Sequence, residues 1–228
     1  MVKFSFPLKP RVAAGDSVVI IGLGRFGRSM AEELMESGVE VLGIDKSADV
    51  VQLMNGKLTQ VIRADASTPE TLYDLGVNEF SHAVVAIGDD LASSILVASS
   101  LIKLNGPEIW AKASTGPQGQ IFQQMGIKHV FHPEKDMGRR VAHLLTHSLF
   151  DYFDLGDGFA MATAALPASM AGVSLRELNL RVRLGITIVA VKDPSGVWAP
   201  IVPESVLETG QVVLVAGPKQ KLDSAFKQ

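Results

Sequence analysis

The chain has 228 residues, of which 47% are hydrophobic and 20% charged, with a formal net charge of −3 and no cysteine. That length and composition suit a globular protein of one large domain, or of one medium and one small domain. The acidic balance, with a pI near 6.0, argues against a nucleic-acid binder. The missing cysteines exclude disulfides, thiol catalysis and thiolate metal sites, and no apolar run reaches the ~18–20 residues of a membrane span.

Residues 1–14 read as a short arm in which Pro7 and Pro10 block regular structure, and they lack the continuous apolar stretch of a signal peptide. A cytoplasmic protein is expected. From Ser17 onward, strand and helix patterns alternate. Residues 18–21 (VVII) read as a strand buried on both faces and 25–37 as a helix. Between them Gly22, Gly24 and Gly27 keep the G-x-G-x-x-G spacing. The first glycine permits a tight turn, the second lets a phosphate approach the backbone, and the third lets the helix pack closely on the sheet. A second apolar run, 39–44, closes on Asp45, 18 residues past Gly27. A carboxylate placed there accepts hydrogen bonds from ribose hydroxyls and repels a 2′-phosphate. A bound adenine nucleotide is the expectation.

Further strands are predicted at 60–63, 82–87, 109–113 and 128–131. Helices are predicted at 49–55, from a cap at Ser67 or Thr68, at 91–104 and at 118–125. This alternation predicts an α/β fold, a Rossmann-like doubly wound parallel sheet with helices on both faces. Asp45, Asp65 and Gly88 then share the carboxyl rim with the glycine loop. The segment HPEKDMG (132–138) leads into a helix through 147, whose Met137, Val141, Leu144 and Leu145 form an apolar stripe in need of a partner surface such as another subunit. The first domain is therefore set at 15–150, a linker at 151–160 around Gly156 and Gly158, and a small α+β C-terminal module at 161–228. In that module, strands are predicted at 160–166, 186–192 and 211–216, a capping box at Ser174–Glu177, a turn at 193–196 and a helix at 219–226. About seventy residues give a marginal core, so the module is expected to dimerise or to lean on the first domain.

Catalytic patterns do not emerge. His82, His129 and His132 flank strands, and His143 and His147 share i, i+4 spacing but lack the glutamate of a zincin, so they read as solvated or packing histidines. There is neither a G-x-S-x-G elbow nor a P-loop Lys-Ser/Thr. Arg25, directly after Gly24, puts a guanidinium beside the phosphate loop, where it could pair with a terminal phosphate. Lys112, closing the fifth strand, faces the same rim. Glu134 and Asp136 fall in the first turn of the stripe-bearing helix, where acids complement the helix dipole. Were that helix to meet its twin near a two-fold axis, two Glu134 carboxylates could hold a hard cation.

GLGRFG (22–27), VAIGDD (85–90), HPEKDMG (132–138) and GVSLRELNLRVRLGITIVAV (172–191) resemble the RCK (regulator of K⁺ conductance) family, and within it the cytosolic Ktr/Trk-type subunits of bacterial potassium uptake systems. HPEKDMG is the most specific of the four, because dinucleotide dehydrogenases have no reason to carry it. The resemblance implies a homodimer assembling into an octameric ring beneath a membrane-embedded K⁺ channel or transporter. It also implies a non-enzymatic role, in which ATP, ADP or NAD(H) shifts the ring and gates K⁺ flux. By position, Gly22, Gly24, Arg25, Phe26, Gly27, Asp45, Lys46, Asp65, Ala66, Ile87, Gly88 and Lys112 match nucleotide-contacting places. In the Ktr branch the arginine at the place of Arg25 reaches the γ-phosphate, and the glutamate at the place of Glu134 binds Mg²⁺ or Ca²⁺ between two subunits. Some relatives bind cyclic di-AMP in the C-terminal module, where Asn179 and Arg181 fall in the matching segment. ATP/ADP is the expected ligand because Arg25 suits a terminal phosphate. The alternatives are an NAD(H)-sensing Trk-type subunit and, behind it, an NAD-dependent oxidoreductase.

Overall fold

The computed structural model describes residues 17–146 and 149–226, without the side chains of residues 143 and 146. The arm expected over 1–14 and the His143/His147 pair therefore lie outside the described residues. The chain divides into two compact units, the break falling between Glu134 and Lys135.

The first unit runs β1 (Ser17–Ile21), α1 (Arg25–Glu36), β2 (Glu40–Asp45), α2 (Ala48–Met54), β3 (Gln60–Arg63), α3 (Pro69–Asp74), a 3₁₀ turn (Val77–Glu79), β4 (His82–Val85), α4 (Leu91–Leu104), β5 (Glu108–Lys112), α5 (Gly116–Gln124) and β6 (His129–Phe131), and then opens α6 (Pro133–Thr146). All six strands are parallel, in the order β3-β2-β1-β4-β5-β6. Strand β1 is apolar on both faces because both faces are covered. Val19 and Ile21 join the core cluster holding Leu72 of α3, Val97 of α4 and Phe122 of α5, whereas Val18 and Ile20 join Ala31 of α1 and Met54 of α2. Each such burial contributes about 1.5–3 kcal/mol. From β1 the order runs outward in both directions, so the connections after β1 and β4 part there and open a crevice at the carboxyl ends.

The helix starts follow local chemistry. Ser47, Asp90 and Thr115 cap α2, α4 and α5 by accepting the backbone N–H of Val50, Ser93 and Gln118. Helix α1 has Gly24 as its N-cap and no side-chain cap. Ser67 and Thr68, expected to cap α3, turn instead to Asp65. The Ser67 hydroxyl donates to Asp65 Oδ1 at 2.7 Å and the Thr68 hydroxyl to the Asp65 carbonyl at 3.2 Å.

After α6 the second unit continues as β7 (Leu149–Gly156), β8 (Phe159–Ala165), a 3₁₀ turn (Ala168–Met170), α7 (Leu175–Leu178), α8 (Leu180–Arg183), β9 (Thr187–Lys192), β10 (Trp198–Pro200), β11 (Val212–Pro218) and α9 (Lys219–Ala225). Its sheet is antiparallel, β10-β9-β11-β8-β7. Ala160, Ala162 and Ala164 of β8 face inward against Val213 and Val215, with Tyr152, Ile186 and Leu222 completing the core. The expected capping box is formed: Ser174 and Glu177 bond each other's backbone N–H.

Two boundaries differ from expectation. Residues 151–160 are not a linker but most of β7 and the turn into β8. Irregularities at Leu149/Asp151 and Asp154/Gly156 break the two-residue period by which a strand is read from sequence. Helix α6, placed with the first domain, belongs from Lys135 on with the second unit. Arg140 reaches both carboxylate oxygens of Asp151 at 2.6–2.8 Å, and Leu144 packs on the second core. Of the expected stripe, Met137, Val141 and Leu145 are exposed.

A Cβ built at Gly27 would lie 2.1 Å from the Gly22 carbonyl oxygen, whereas one at Gly24 meets nothing within 4 Å. Gly27→Ala is therefore expected to destabilise the protein by roughly 3 kcal/mol or more, and Gly24→Ala by less than about 1 kcal/mol. Chemical denaturation of the two variants checks this, and equal losses would mean that the loop relaxes freely.

Candidate functional site

The carboxyl rim of the parallel sheet gathers most of the expected residues. Gly22 leaves β1 at φ +96°, a left-handed value open to glycine, and a Cβ there would come within 3.0 Å of the Ala86 carbonyl carbon and 3.1 Å of Ile87 Cγ1. The turns after β1 and β4 therefore touch at this point. The open space at Gly24 and the missing side-chain cap leave the amide end of the twelve-residue α1, with its positive dipole, at the rim. Phe26 tilts against Phe131 of β6, ring centroids 5.3 Å apart.

Asp45 ends β2 half-buried, and both of its oxygens are engaged. Oδ2 accepts the Leu23 N–H at 2.7 Å and Oδ1 the Ser47 N–H at 2.8 Å. It therefore fixes the glycine loop as well as facing the rim, a role the sequence pattern did not reveal. The rim is further stitched by Gly22 N–H to the Ile44 carbonyl at 2.9 Å, Ala86 N–H to Ile21 at 2.8 Å and Ala64 N–H to Asp45 at 3.0 Å. Lys46 is exposed, 3.8 Å from Asp90. Asp65 is exposed at the end of the β3 connection, and the Ser67 hydroxyl and then the Ser67 N–H hold its carboxyl below the usual range. Ala66 differs from its neighbours, its methyl lying in the core cluster.

Lys112, at the end of β5, is only 8% exposed. Its Nζ lies 2.7 Å from Glu134 Oε1 and 5.8 Å from the centre of the Phe26 ring, and a Cβ on Gly88 would sit 3.1 Å from it. Ser114, absent from the sequence-based set, donates to the Gly88 carbonyl at 3.2 Å and closes the same corner. Arg25 is exposed on the first turn of α1. Glu134, itself largely exposed, has its carboxyl held below the usual range, first by the hydrogen bond from Lys112 and also by the charge of Arg25. Within one chain, Glu134 does not by itself make the divalent-cation site expected between two subunits. Its carboxylate already has an ammonium neighbour, and the described residues hold no group of three or more His, Asp or Glu side chains placed to bind an ion.

The histidines lie elsewhere. His82 and His129 open β4 and β6 at the amino edge of the sheet, where Glu108 takes both, at 3.3 and 2.9 Å. His132 packs on α5 so closely that a Cβ on Gly119 would be 2.6 Å from its ring. In the second unit, Asn179 adopts a left-handed conformation between α7 and α8. Arg181 donates to Thr187 at 3.1 Å, and with Arg176, Ile188 and Pro203 the two residues line a cleft of ≈ 330 Å³.

Residues 18–133 match the TrkA-N domain and residues 160–228 the TrkA-C domain. The chain is 31% identical over 204 residues to the Ktr system potassium uptake protein A of Bacillus subtilis, covering 89% of this chain and 92% of that protein. To the Ktr system potassium uptake protein A of Vibrio alginolyticus it is 33% identical over 210 residues, covering 91% and 95%. Among solved structures, the GsuK RCK domain superposes with a TM-score of 0.64 at 15% identity, over the whole of this chain and 51% of the other. The GsuK channel bound to NAD superposes with a TM-score of 0.65 at 16% identity, over 98% of this chain and 41% of the other. These last two likenesses are of fold.

Removing the hydroxyl in Ser67→Ala should move the Asp65 carboxyl back up towards its ordinary value, with the backbone donor retained. Because the folded pKa is the lower one, the stability it supplies is present above the unfolded value of about 3.9 and is lost as pH falls through the folded value. Carboxyl NMR titration of wild type and variant reads the shift, and an unmoved midpoint would remove the hydroxyl as its cause.

Proposed function

Because the chain belongs to the family of Ktr- and Trk-type potassium uptake proteins that join a TrkA-N to a TrkA-C domain, we propose that it is a nucleotide-sensing regulatory subunit controlling K⁺ flux through a membrane-embedded partner. On this reading it catalyses nothing. It works at the inner face of the membrane, as dimers assembled into an octameric ring. The observation that carries the nucleotide part is the uncapped amide end of α1 behind Gly22, Gly24 and Gly27, at the strand-order reversal of a parallel sheet, with Asp45 at the end of the next strand. Such an end is a ready anion site, and the crevice beyond the strand ends is where ligands of this architecture lie.

The ligand is an adenine nucleotide whose phosphates meet the α1 amides, Arg25 and Lys112, with Asp45 and Asp65 towards the ribose and Lys46, Ile87 and Gly88 along the wall. Arg25, exposed on the first turn of α1, suits the terminal phosphate and makes ATP and ADP distinguishable. The subunit then acts by population shift: a triphosphate and a diphosphate favour different states of the ring, to the extent of their differential affinity. A Mg²⁺ or Ca²⁺ ion at Glu134 needs a second copy's carboxylate beside it. NAD(H) is the second reading, favoured by the fold shared with a channel bound to NAD and by the Asp45 carboxylate. In the second unit, the cleft beside Asn179 and Arg181 is the place for a cyclic di-AMP.

Calorimetric titration of the nucleotide-stripped protein with ATP, ADP and NADH should give tight ATP and ADP binding and weak NADH binding. Arg25→Ala should cost ATP about tenfold and ADP less. Equal losses for the two would remove the terminal-phosphate role, and preferential NADH binding would move the protein to the second reading.

A further inference from the structure

We propose that Gln118 is a positioning residue of the nucleotide site: its buried amide joins the two ends of the loop between β4 and α4 and so holds the wall at Ile87 and Gly88 in shape. The inference rests on the nucleotide reading above and adds to it what keeps that wall in place.

Gln118 is the third residue of α5 and only 3% exposed, and Ser94, the fourth residue of α4, is fully enclosed. Polar side chains at such depth are costly unless they are bonded. Here the bonds form one chain. The Ser114 N–H donates to Gln118 Oε1 at 2.9 Å, Gln118 Nε2 donates to Ser94 Oγ at 3.0 Å, and the Ser94 hydroxyl donates to the Leu91 carbonyl at 2.8 Å. The donor at Ser114 fixes which way the amide faces, because a backbone N–H meets only its oxygen. Ser114 carries the chain outward, its hydroxyl donating to the Gly88 carbonyl at 3.2 Å. Gly88 and Leu91, the two ends of the loop, are therefore joined a second time through Gln118, and the loop is closed into a ring. Between them lies Asp90, facing Lys46 at 3.8 Å. The clearance at Gly88 is small: a Cβ there would be 3.1 Å from Lys112 Nζ and 3.3 Å from Ser114 Oγ. A slight opening of the ring thus alters the corner at which Lys112 meets the rim. Gln118 and Ser94 are too deep to touch a ligand in the crevice, so their effect on binding passes through the loop. A wall already held in its bound shape spares the ligand the cost of ordering it.

The test is calorimetry of ADP binding to the full chain, at a temperature where circular dichroism shows each variant folded, with urea denaturation run beside it. Gln118→Met is expected to weaken ADP about tenfold and Ser94→Ala by less, since Ser114 keeps its acceptor there. The double variant should bind no more weakly than Gln118→Met alone, because both break one circuit. Ser100, also buried on α4, donates to the Leu96 carbonyl at 2.9 Å and lies off the circuit. Ser100→Ala should therefore lower the urea midpoint without moving ADP affinity. Wild-type affinity in folded Gln118→Met overturns the positioning role and leaves the nucleotide reading intact. Additive losses in the double variant, or an equal loss in Ser100→Ala, do the same. Should Gln118→Met not fold, Ser94→Ala carries the test, and wild-type affinity in it is the overturning result. If the wild-type protein binds no adenine nucleotide, the nucleotide reading falls and the positioning role with it.

Discussion

No side chain fits at Gly27. The helix that follows β1 comes so near the turn that a single methyl would overlap the Gly22 carbonyl oxygen, at 2.1 Å. This close approach fixes where α1 begins, and the remainder of the rim is set from it. Gly22 must then take a left-handed turn, which brings it against Ala86 and Ile87 at the end of β4. Leu23 presents its N–H to Asp45, tying the end of β2 to the same loop. Three neighbouring strands of the sheet are thereby locked to one amide cluster, at a helix N-terminus of the kind that favours anions.

The charges of the rim follow a consistent economy. Its acids are held by donors of their own: Asp45 by Leu23 and Ser47, Asp65 by Ser67, Asp90 by Ser93. These donors are backbone amides and, for Asp65 and Asp90, a hydroxyl as well. The cations stay available in two different ways. Arg25 and Lys46 extend into solvent, where screening makes any pairing worth little. Lys112 is enclosed and needs a partner continuously. The one acid at the rim whose partner is a buried cation is Glu134, and for that reason its position in HPEKDMG carries more consequence than a first-turn helix acid usually does.

Much of this was legible in the sequence, for identifiable reasons. β1, β2 and β4 are short apolar runs with both faces covered, and a helix follows each, so a parallel sheet and rim membership could be read from alternation. Asp45 and Lys112 could be placed on the rim because they close strands. What stayed hidden depends on contacts between residues far apart in the chain. The Lys112–Glu134 pair spans β5 and α6, and Ser114 meets Gly88 across β4 and β5. Neither leaves a periodic trace. In the second unit, bulges in β7 concealed a strand that a regular ladder would have announced, and Gly156 and Gly158 read as a linker because hairpin turns and linkers use the same residue.

Helix α6 shows why the boundary between the units could not be placed by composition. Its first turn carries His132 just before it, packed on Gly119 of α5, and Glu134, held by Lys112. Six residues further on, less than two helical turns, Arg140 grips Asp151 and stacks on Phe153, its guanidinium carbon 4.5 Å from the ring centre. A helix whose opening belongs to one core and whose middle belongs to another has no polar, flexible stretch to mark the change.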